Sequence, residues 1–321
     1  MPPPTDPVLR QKCDELYDAT NLIPENLAED RHGIRPVHAK GTLFTGLFIP
    51  TPQAAEVTTA WHFQGGIVPI TVRFSAGSHD RGVEDTDDSA QPTGFAIRFV
   101  EEWKPTHRHT DIITQSVDGF PVSTAEEAFD YFDAIRLGIV EEYMRTNPKA
   151  AAYGKIPKPT PRGFGTQKYY GVNAYKFVGP KPERKERYFR YRIVPRRGVQ
   201  YLDDQDDKTK LAAKKRRDFL EREMVEYLET SPVFFTLVAQ MAEEGDVTND
   251  CTVKWGDDRE EIELGTIQIE CLACRQQLDQ KHMIFDPIPR IAGIEPSDDP
   301  LLELRAGVYL KSGTDRRKAE L

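Results

Sequence analysis

The order of strand-like and helix-like segments is the feature of this sequence that most constrains its fold. Runs of β-branched and aromatic residues bounded by Gly, Pro and Asp come first, helical stretches interrupt them, and strand-like runs then return. No regular strand–helix–strand alternation accompanies them, so a parallel sheet is not expected. The order predicts an α+β protein with an antiparallel sheet and inserted helices. About eight strands are enough to close such a sheet into a barrel without free edges.

The predicted strands share a short length and an apolar, β-branched or aromatic composition. They are Gly41–Ile49, Ile67–Ser75, Gly94–Val100, Thr110–Ser116, Val172–Val178, Tyr188–Val194, Thr252–Trp255 and Leu264–Cys271. Helices are predicted where apolar residues recur at three- and four-residue steps. These are Pro7–Asp18, 124–147, Asp206–Leu228 and a last helix that begins at Ser297, a favourable N-cap residue. Residues 155–165 are rich in Pro and Gly and predict a loop.

Length and charge exclude several classes of protein. A chain of 321 residues can bury a sizeable core as one domain. The net charge of −9, spread over interspersed acidic and basic residues, argues against a nucleic-acid partner. The sequence has no run of about 18 apolar residues, so no membrane span is expected. The first four residues do not resemble a signal peptide, and a cytoplasmic protein is therefore expected.

The four cysteines do not predict a disulfide framework, because four thiols are few for so long a chain. Cys271 and Cys274 form an isolated C-x-x-C pair, and a zinc site would need a second pair. We therefore predict that these two thiols are reduced and structural.

Two residues near the C-terminus have the spacing expected of an iron ligand and its activating cation. In a helix from Ser297, Arg305 and Tyr309 stand four residues apart on one face, roughly 6 Å from each other. A guanidinium this close favours the phenolate form of tyrosine, and tyrosine is a known axial ligand of haem iron. The spacing alone is weak, since Arg187 and Tyr191 share it in a predicted strand, where such residues lie roughly 13 Å apart. By spacing alone, Tyr309 is more often a packed aromatic residue.

Several segments taken together resemble the haem catalases. Segment 35–41, Arg-Pro-Val-His-Ala-Lys-Gly, is similar to the family's distal-histidine motif, although one histidine before a strand is usually a surface or core residue. The segments that resemble the family's further blocks, in the family's order, are 72–77, 81–82, 85–86 and 94–99, then 285–287, 293–297 and 305–309, with 171–177 matching more loosely. Ordered agreement of several blocks is more specific than any single motif.

The resemblance implies a catalase-type, antiparallel eight-stranded barrel with flanking helices that binds haem, expected to be haem b, and its iron. Residues 1–321 are then one domain, with an N-terminal arm and helix at 1–30, the barrel at 41–271 and the iron-ligand helix at 297–312.

The resemblance also implies roles for individual residues. His38 would be the distal acid–base residue, oriented by Ser75. Tyr309 would be the axial ligand of iron, and Arg305 would hold it as tyrosinate. The remaining residues expected to contact the haem are Arg35, Val37, Arg73, Phe129, and one of Arg316 or Arg317, the arginines pairing with its propionates.

The sequence departs from the family at the distal asparagine. Segment 111–117, Asp-Ile-Ile-Thr-Gln-Ser-Val, lies where the family has Asp-Leu-x-x-Asn-Asn-Thr. Ser116 takes the asparagine's place, or Gln115 if the register slips by one. Either side chain can donate a hydrogen bond, the glutamine through a longer arm and the serine with less reach. We therefore expect weak catalase turnover or none.

A second departure is length. The chain stops about a dozen residues after Tyr309, so the long C-terminal segments that enclose the haem in large catalases have no counterpart. A more open pocket would admit bulkier peroxides or reductants. We therefore expect a haem peroxidase that reduces hydrogen peroxide or organic hydroperoxides through a ferryl state with a small-molecule reductant. It is expected to be a homodimer, without an NADPH site.

Three other functions remain open from the sequence. The first is a small catalase that disproportionates hydrogen peroxide. The second is a fatty-acid hydroperoxide enzyme like the allene oxide synthases, although these tend to have threonine where this chain has Val37. The third is a haem-binding sensor whose partner contacts the basic strand Arg187–Arg197, a segment that is more often a strand with one solvated face.

Overall fold

The computed structural model describes residues 1–21, 33–101, 108–182 and 185–319, and its central feature is a closed antiparallel β-barrel. Its ten described strands are β1 (Gly41–Pro50), β2 (Val68–Ser75), β3 (Gly94–Val100), β4 (His109–Gln115), β5 (Tyr169–Tyr170), β6 (Tyr175–Val178), β7 (Glu186–Pro195), β8 (Val233–Met241), β9 (Glu261–Leu272) and β10 (Ile294–Pro296). Eight of them form the barrel, in the order β1-β2-β3-β4-β5-β7-β8-β9, and β9 pairs back to β1. β6 and β10 extend the sheet outside the barrel. The predicted fold class is confirmed.

Six predicted strands coincide with barrel strands to within three residues, but two predictions need correction. The strand predicted at Val172–Val178 begins only at Tyr175, as β6, and it lies outside the barrel. The two-residue strand β5 takes its place in the barrel.

The prediction of a strand at Thr252–Trp255 is wrong, because the chain turns there. The carboxylate of Asp250 accepts hydrogen bonds from the backbone N–H of Thr252 at 2.8 Å and from its hydroxyl at 2.6 Å. Asp at the start of a turn commonly bends the chain in this way. The barrel strand that the sequence analysis missed is β8, an apolar run buried along most of its length.

The described α-helices flank the barrel or are inserted between its strands. They are α1 (Pro7–Asn21), α2 (Pro52–Val57), α3 (Ala125–Arg136), α4 (Val140–Thr146), α5 (Pro148–Gly154), α6 (Asp207–Lys214), α7 (Phe219–Leu228), α8 (Gln276–His282) and α9 (Pro300–Lys318). The helix predicted at Pro7–Asp18 corresponds to α1, while the rest of the predicted N-terminal arm, residues 22–30, lies outside the described residues. None of the described helices has the length and apolar composition that crossing a bilayer requires.

Two long predicted helices are each interrupted. The stretch 124–147 is divided into α3 and α4 at Gly138, whose φ of +72° ends the first helix, because glycine adopts this conformation without steric cost. The stretch Asp206–Leu228 is divided into α6 and α7. There Asp85, from a distant loop, donates its N–H to the Arg217 carbonyl at 3.0 Å and accepts the Leu220 N–H at 2.9 Å. This tertiary contact is invisible in the helical periodicity.

The last helix begins two residues later than the predicted cap. Asp299, not Ser297, is its N-cap, and the Asp299 carboxylate accepts the Leu301 N–H at 3.0 Å. Ser297 instead accepts the Asp299 N–H at 3.4 Å. The helix extends to Lys318, beyond the predicted end at 312.

The inner and outer faces of the barrel pack differently. The inner face carries the main aromatic core, which includes Phe44, Phe74 and Phe95. Side chains alternate between the two faces of a strand, so the residues directly before and after each of these phenylalanines point outward. A small apolar cluster of Leu43 and Phe285, with Ala96 and Ile113 beside it, covers that outer face. The candidate site lies on this same outer face of β1 to β4.

Candidate active site

One row of directly paired residues crosses four strands of the outer face. Ser75 at the end of β2 pairs with Gly41 of β1 and with Gly94 of β3, and Gly94 pairs with Gln115 of β4. Because paired residues project to the same face, Ser75 and Gln115 stand on either side of a glycine. A Cβ at Gly94 would lie 2.7 Å from Ser75 Oγ and 3.1 Å from His38 Nδ1, so only glycine leaves room for this pair.

His38 lies over this row and hydrogen-bonds to Ser75, as predicted. Its Nδ1 is 3.1 Å from Ser75 Oγ. Its backbone has a φ of +56°, a conformation that non-glycine residues rarely adopt and that often accompanies functional sites. Burial, and then the cation of the nearby Arg73, lower the pKa of His38 to about 4. The imidazole is therefore neutral at pH 7 and able to accept a proton.

The two candidates for the distal amide occupy different places. Gln115 belongs to the paired row, and its Nε2 donates to the Gly119 carbonyl at 2.6 Å. Ser116 lies one residue beyond β4, and its Oγ accepts the Thr93 N–H at 3.0 Å. Of the two, Gln115 shares the face of Ser75, because a shift of one residue along a strand reverses the side-chain direction.

Arg305 and Tyr309 are neighbours on α9, as predicted from their spacing. Arg305 Nε donates to the Tyr309 hydroxyl at 3.2 Å. Burial lowers the pKa of Arg305, but the adjacent Tyr309 and Tyr175 hydroxyl groups more than reverse this, so that the pKa lies above its usual value. The Tyr309 hydroxyl is therefore held by a guanidinium that stays charged.

A hydrogen-bond chain that the sequence analysis missed supports this pair. Arg305 NH1 donates to Asn173 Oδ1, and Asn173 Nδ2 donates to Asp299 Oδ2 at 2.8 Å. Burial raises the pKa of the Asp299 carboxyl, and the bonds from Leu301 and Asn173 oppose that shift. Segment 171–177, which contains Asn173, resembles the family only loosely, and no local pattern pairs Asn173 with Arg305, which lies 132 residues away.

Three arginines lie close together beside the row, and of these Arg73 and Arg316 are buried and Arg35 is partly buried. Arg35 donates to the Met283 carbonyl at 2.9 Å, and Arg316 donates to the same oxygen at 2.9 Å. Arg73 donates to the His38 carbonyl at 2.9 Å and to Gln280 at 3.0 Å. Within the described ranges, none of the three forms an ion pair with a carboxylate.

The charges of these arginines act on one another. Burial and then the charge of Arg316 lower the pKa of Arg73 to about 9, and burial with the charge of Arg317 lowers the pKa of Arg316 to about 10. The pKa of Arg35 is also lowered, by burial and then by the charge of Arg73. Buried cations without an anionic partner are strongly disfavoured, so this cluster is suited to an anionic ligand.

The remaining predicted haem contacts are placed unequally. Arg316 is 4% exposed and belongs to the arginine cluster, whereas Arg317 is exposed and donates to the His282 carbonyl. Val37 precedes His38 and is partly buried. Phe129 lies on α3, and 37% of its side-chain surface is exposed.

Comparison with known proteins decides the family. The family model described as Catalase matches residues 16–135 and 142–320. The chain belongs to the catalase family. Among curated catalase relatives, a catalase-related peroxidase of Mycolicibacterium paratuberculosis is 31% identical over 299 residues, 88% of this chain and 91% of the relative. A catalase-related peroxidase of Synechococcus elongatus is 26% identical over 322 residues, 94% of this chain and 91% of the relative.

Solved catalase structures share the fold. A bacterial catalase superposes with a TM-score of 0.75 at 20% identity, covering 91% of this chain and 59% of that chain. Catalase A from Saccharomyces cerevisiae gives a TM-score of 0.75 at 18% identity, covering 91% and 62%. The chain therefore spans about three fifths of the length of these catalases.

Membership of the catalase family implies a haem, and the residues here fit that group. The clustered cations of Arg35, Arg73 and Arg316 lack carboxylate partners among the described residues, and Arg316 Nε is buried without a hydrogen-bond partner there. Two propionates would supply the missing anions. Tyr309, held by Arg305, offers the hard oxygen ligand that ferric iron takes in catalases.

Proposed function

We propose that this protein is a haem peroxidase that reduces hydrogen peroxide or organic hydroperoxides with a small-molecule reductant. The names of the two catalase-related peroxidases that the chain resembles support the peroxidase activity. The observation that carries the proposal is the pairing of His38 with Ser75 at 3.1 Å in a site where Arg305 and Arg35 are near enough to lower the pKa of the imidazole. We therefore infer that His38, as the acid–base residue, and Arg305, which holds Tyr309, belong to one site.

The chain's own residues account for proton movement and positioning. Bound haem would supply the redox-active iron, and Tyr309 would bind that iron. With Nδ1 of His38 donating to Ser75 Oγ, Nε2 is the atom that accepts a proton from one peroxide oxygen. The same atom then returns the proton to the other oxygen, which leaves as water or an alcohol. Arg73 fixes the histidine by binding its carbonyl oxygen.

We also propose that catalase turnover is weak. Gln115 holds the place of the distal amide, but its N–H is engaged with the Gly119 carbonyl at 2.6 Å. This bond fixes the direction of the amide and leaves only its second N–H to donate to a peroxide molecule. An asparagine has a shorter arm and could not make the same contact from the same backbone position.

The cofactor is proposed to be haem b. The one C-x-x-C pair, Cys271 and Cys274, is followed by Arg275 and not by the histidine of a haem-attachment motif. A cofactor held by Tyr309 and by propionate–arginine pairs is extractable into acidic solvent. Extraction followed by a pyridine haemochrome spectrum tests this.

Peroxidase assays of two site variants test the function. We expect the haem-loaded protein to oxidise a dye with hydrogen peroxide or cumene hydroperoxide, and to release little oxygen at an oxygen electrode. His38→Ala and Tyr309→Phe should each lose the dye activity by at least about 100-fold. Their matched controls are His282→Ala, an exposed histidine, and Tyr188→Phe, a tyrosine in strand β7. Full activity in both site variants would contradict the assignment, and vigorous oxygen release would favour a small catalase.

A further inference from the structure

The N-terminal helix α1 packs on the side of α9 that faces away from Tyr309. Successive residues of an α-helix are turned by about 100°, so residues two positions apart project to nearly opposite sides. Gly307 therefore lies opposite Tyr309, and Leu304 and Lys311, about one turn to either side of Gly307, share its side. α1 or the chain just before it contacts all three of these residues. It thus lies along the back of the helix that carries the proposed iron ligand.

A glycine makes the close approach of the two helices possible. A Cβ at Gly307 would overlap the sulfur atom of Cys13, and it would lie 3.2 Å from Cys13 Cβ and 3.0 Å from Pro4 Cγ. Cys13 is 3% exposed, and its Sγ donates to the Leu304 carbonyl at 3.6 Å. Because a packed interior has no room for an added methyl group, Gly307 and Cys13 determine how near α1 lies to α9.

One lysine of α9 extends the contact by a further turn. Lys311 Nζ lies 2.8 Å from the Asp14 carboxylate and 3.7 Å from that of Asp18. The same Nζ lies 5.3 Å from the ring centroid of Tyr17. Asp14, Tyr17 and Asp18 are three or four residues apart or adjacent, so they approach Lys311 from one side of α1. Several contacts to one ammonium group restrict the rotation of α9 more than a single exposed ion pair does.

The helix α1 also contacts α3, which carries Phe129. Cys13 and Ala128 of α3 belong to one buried apolar cluster, which includes residues of α9 as well. Lys12 of α1 forms an ion pair with Glu126 in the first turn of α3. Phe129, the residue after Ala128, is expected to contact the haem. α1 therefore joins the two helices whose side chains are expected to hold the cofactor.

We propose that Gly307 and Cys13 are positioning residues, through which α1 fixes the rotation of α9 and so the place of the Tyr309 hydroxyl at the haem iron. This inference rests on the proposed haem peroxidase function and deepens it. A side chain moves with its helix, so a turn of α9 displaces the Tyr309 oxygen and weakens its hold on the iron. Arg305 belongs to the same helix and moves with Tyr309, so their hydrogen bond does not correct such a turn.

The absorption spectrum and the haem loss of the resting, haem-loaded protein test the proposal. Gly307→Ala should shift the haem absorption bands and speed haem transfer to excess apomyoglobin about tenfold or more. Alanine has the higher helix propensity, so the effect comes from the contact with α1 and not from a weaker α9. Adding Cys13→Ala removes the overlapping sulfur atom and should return both readouts to near their wild-type values.

A barrel-core variant separates positioning from a general loss of stability. Ile269→Val removes one methyl group from strand β9, in the main core and outside the cluster that contains Cys13. It should lower the urea midpoint, but leave the absorption bands unchanged and the rate of haem transfer within about twofold of wild type. If Ile269→Val moved the spectrum as Gly307→Ala does at a similar loss of stability, the positioning role would be contradicted.

Charge reversal at Lys311 tests the same contact even if Gly307→Ala folds poorly. Lys311→Glu faces Asp14 and Asp18 with a like charge, so it should shift the bands and speed haem loss, and adding Asp14→Lys should reduce both effects. Lys318→Glu is the matched control, because its carboxylate partner Asp315 belongs to α9 itself. These measurements need no peroxide, so their failure is distinguishable from failure of the peroxidase function. Wild-type spectra and wild-type haem loss in folded Gly307→Ala and Lys311→Glu proteins would overturn the proposal.

Discussion

The buried histidine His62 gives the sharpest test of the energetics of this fold. It is 1% exposed, and neither ring nitrogen has a hydrogen-bond partner among the described residues. Its ring packs against Phe63 and Phe99, with centroid distances of 4.0 and 4.6 Å. Burial alone lowers the pKa of His62 to about 3. The native protein therefore holds His62 neutral at the full cost of an unsatisfied polar ring.

We expect His62→Leu to stabilise the protein, and by more at low pH. At pH 7.5 the gain should be about 1–3 kcal/mol, the cost of burying unpaired polar groups. Below the unfolded pKa of about 6.5, the unfolded wild-type chain binds a proton at His62 that the native state rejects, so wild-type stability falls as pH falls. At pH 5 this linkage amounts to about 2 kcal/mol, and the advantage of the leucine variant should widen by that amount.

Urea unfolding of both proteins at pH 7.5 and pH 5.0 measures this difference. At each pH the stability gap is the free energy of unfolding of the variant minus that of wild type. All other titrating groups are common to the two proteins, so their contributions cancel in this gap. His282→Leu is the control, since an exposed histidine should leave the gap the same at both pH values. A gap for His62→Leu that does not change with pH would refute the reasoning, because it would mean that the native ring takes up a proton as readily as the unfolded one.

Four further outcomes follow from the site. Gly94→Ala should slow the peroxide reaction in stopped-flow traces by about 10- to 100-fold, because its Cβ displaces the His38 ring. Arg316→Ala should weaken haem binding in a haem titration about tenfold or more, whereas Arg317→Ala should change it little. Asn173→Leu leaves two buried polar partners unsatisfied, so it should cost about 1–3 kcal/mol in urea unfolding and shift the haem absorption spectrum. The peroxide reaction rate should be flat from pH 8 to 5 and fall below about pH 4, as His38 becomes protonated, in a pH-jump measurement.

The barrel could be predicted from sequence because most of its strands carry their own local signals. β3 begins at Gly94 and ends at Val100, as predicted, since its first residue is a glycine and most of the others are aromatic or apolar. The strand β8 was missed because its mostly apolar residues, buried along most of its length, do not show the regular two-residue alternation of a half-exposed strand. The turn at Thr252 was mistaken for a strand because its β-branched residues have strand propensity, while the decisive contact with Asp250 is a side-chain bond.

The site was predictable only in part, and the difference lies in sequence separation. Arg305 and Tyr309 are four residues apart, so helix geometry alone places them in contact. Gln115 and Ser116 could not be separated, since choosing between them needs the register of β4 against β3. The contact between Asn173 and Arg305 depends on the packing of α9 against a segment that comes before β6, and no local pattern encodes it.

Arg73 has two effects on His38, the proposed distal histidine. His38 has a φ of +56°, a conformation that costs about 1–3 kcal/mol for a non-glycine residue and persists only where neighbours hold it. Arg73 NH2 supplies that hold by donating to the His38 carbonyl at 2.9 Å, and Gln280 of α8 accepts the Arg73 Nε–H at 3.0 Å. The same guanidinium lowers the pKa of the imidazole. An arginine expected only to bind a propionate therefore also fixes the backbone of the proposed acid–base residue and, together with burial, keeps its ring unprotonated. The proposed cofactor binding and proton transfer would then depend on one side chain.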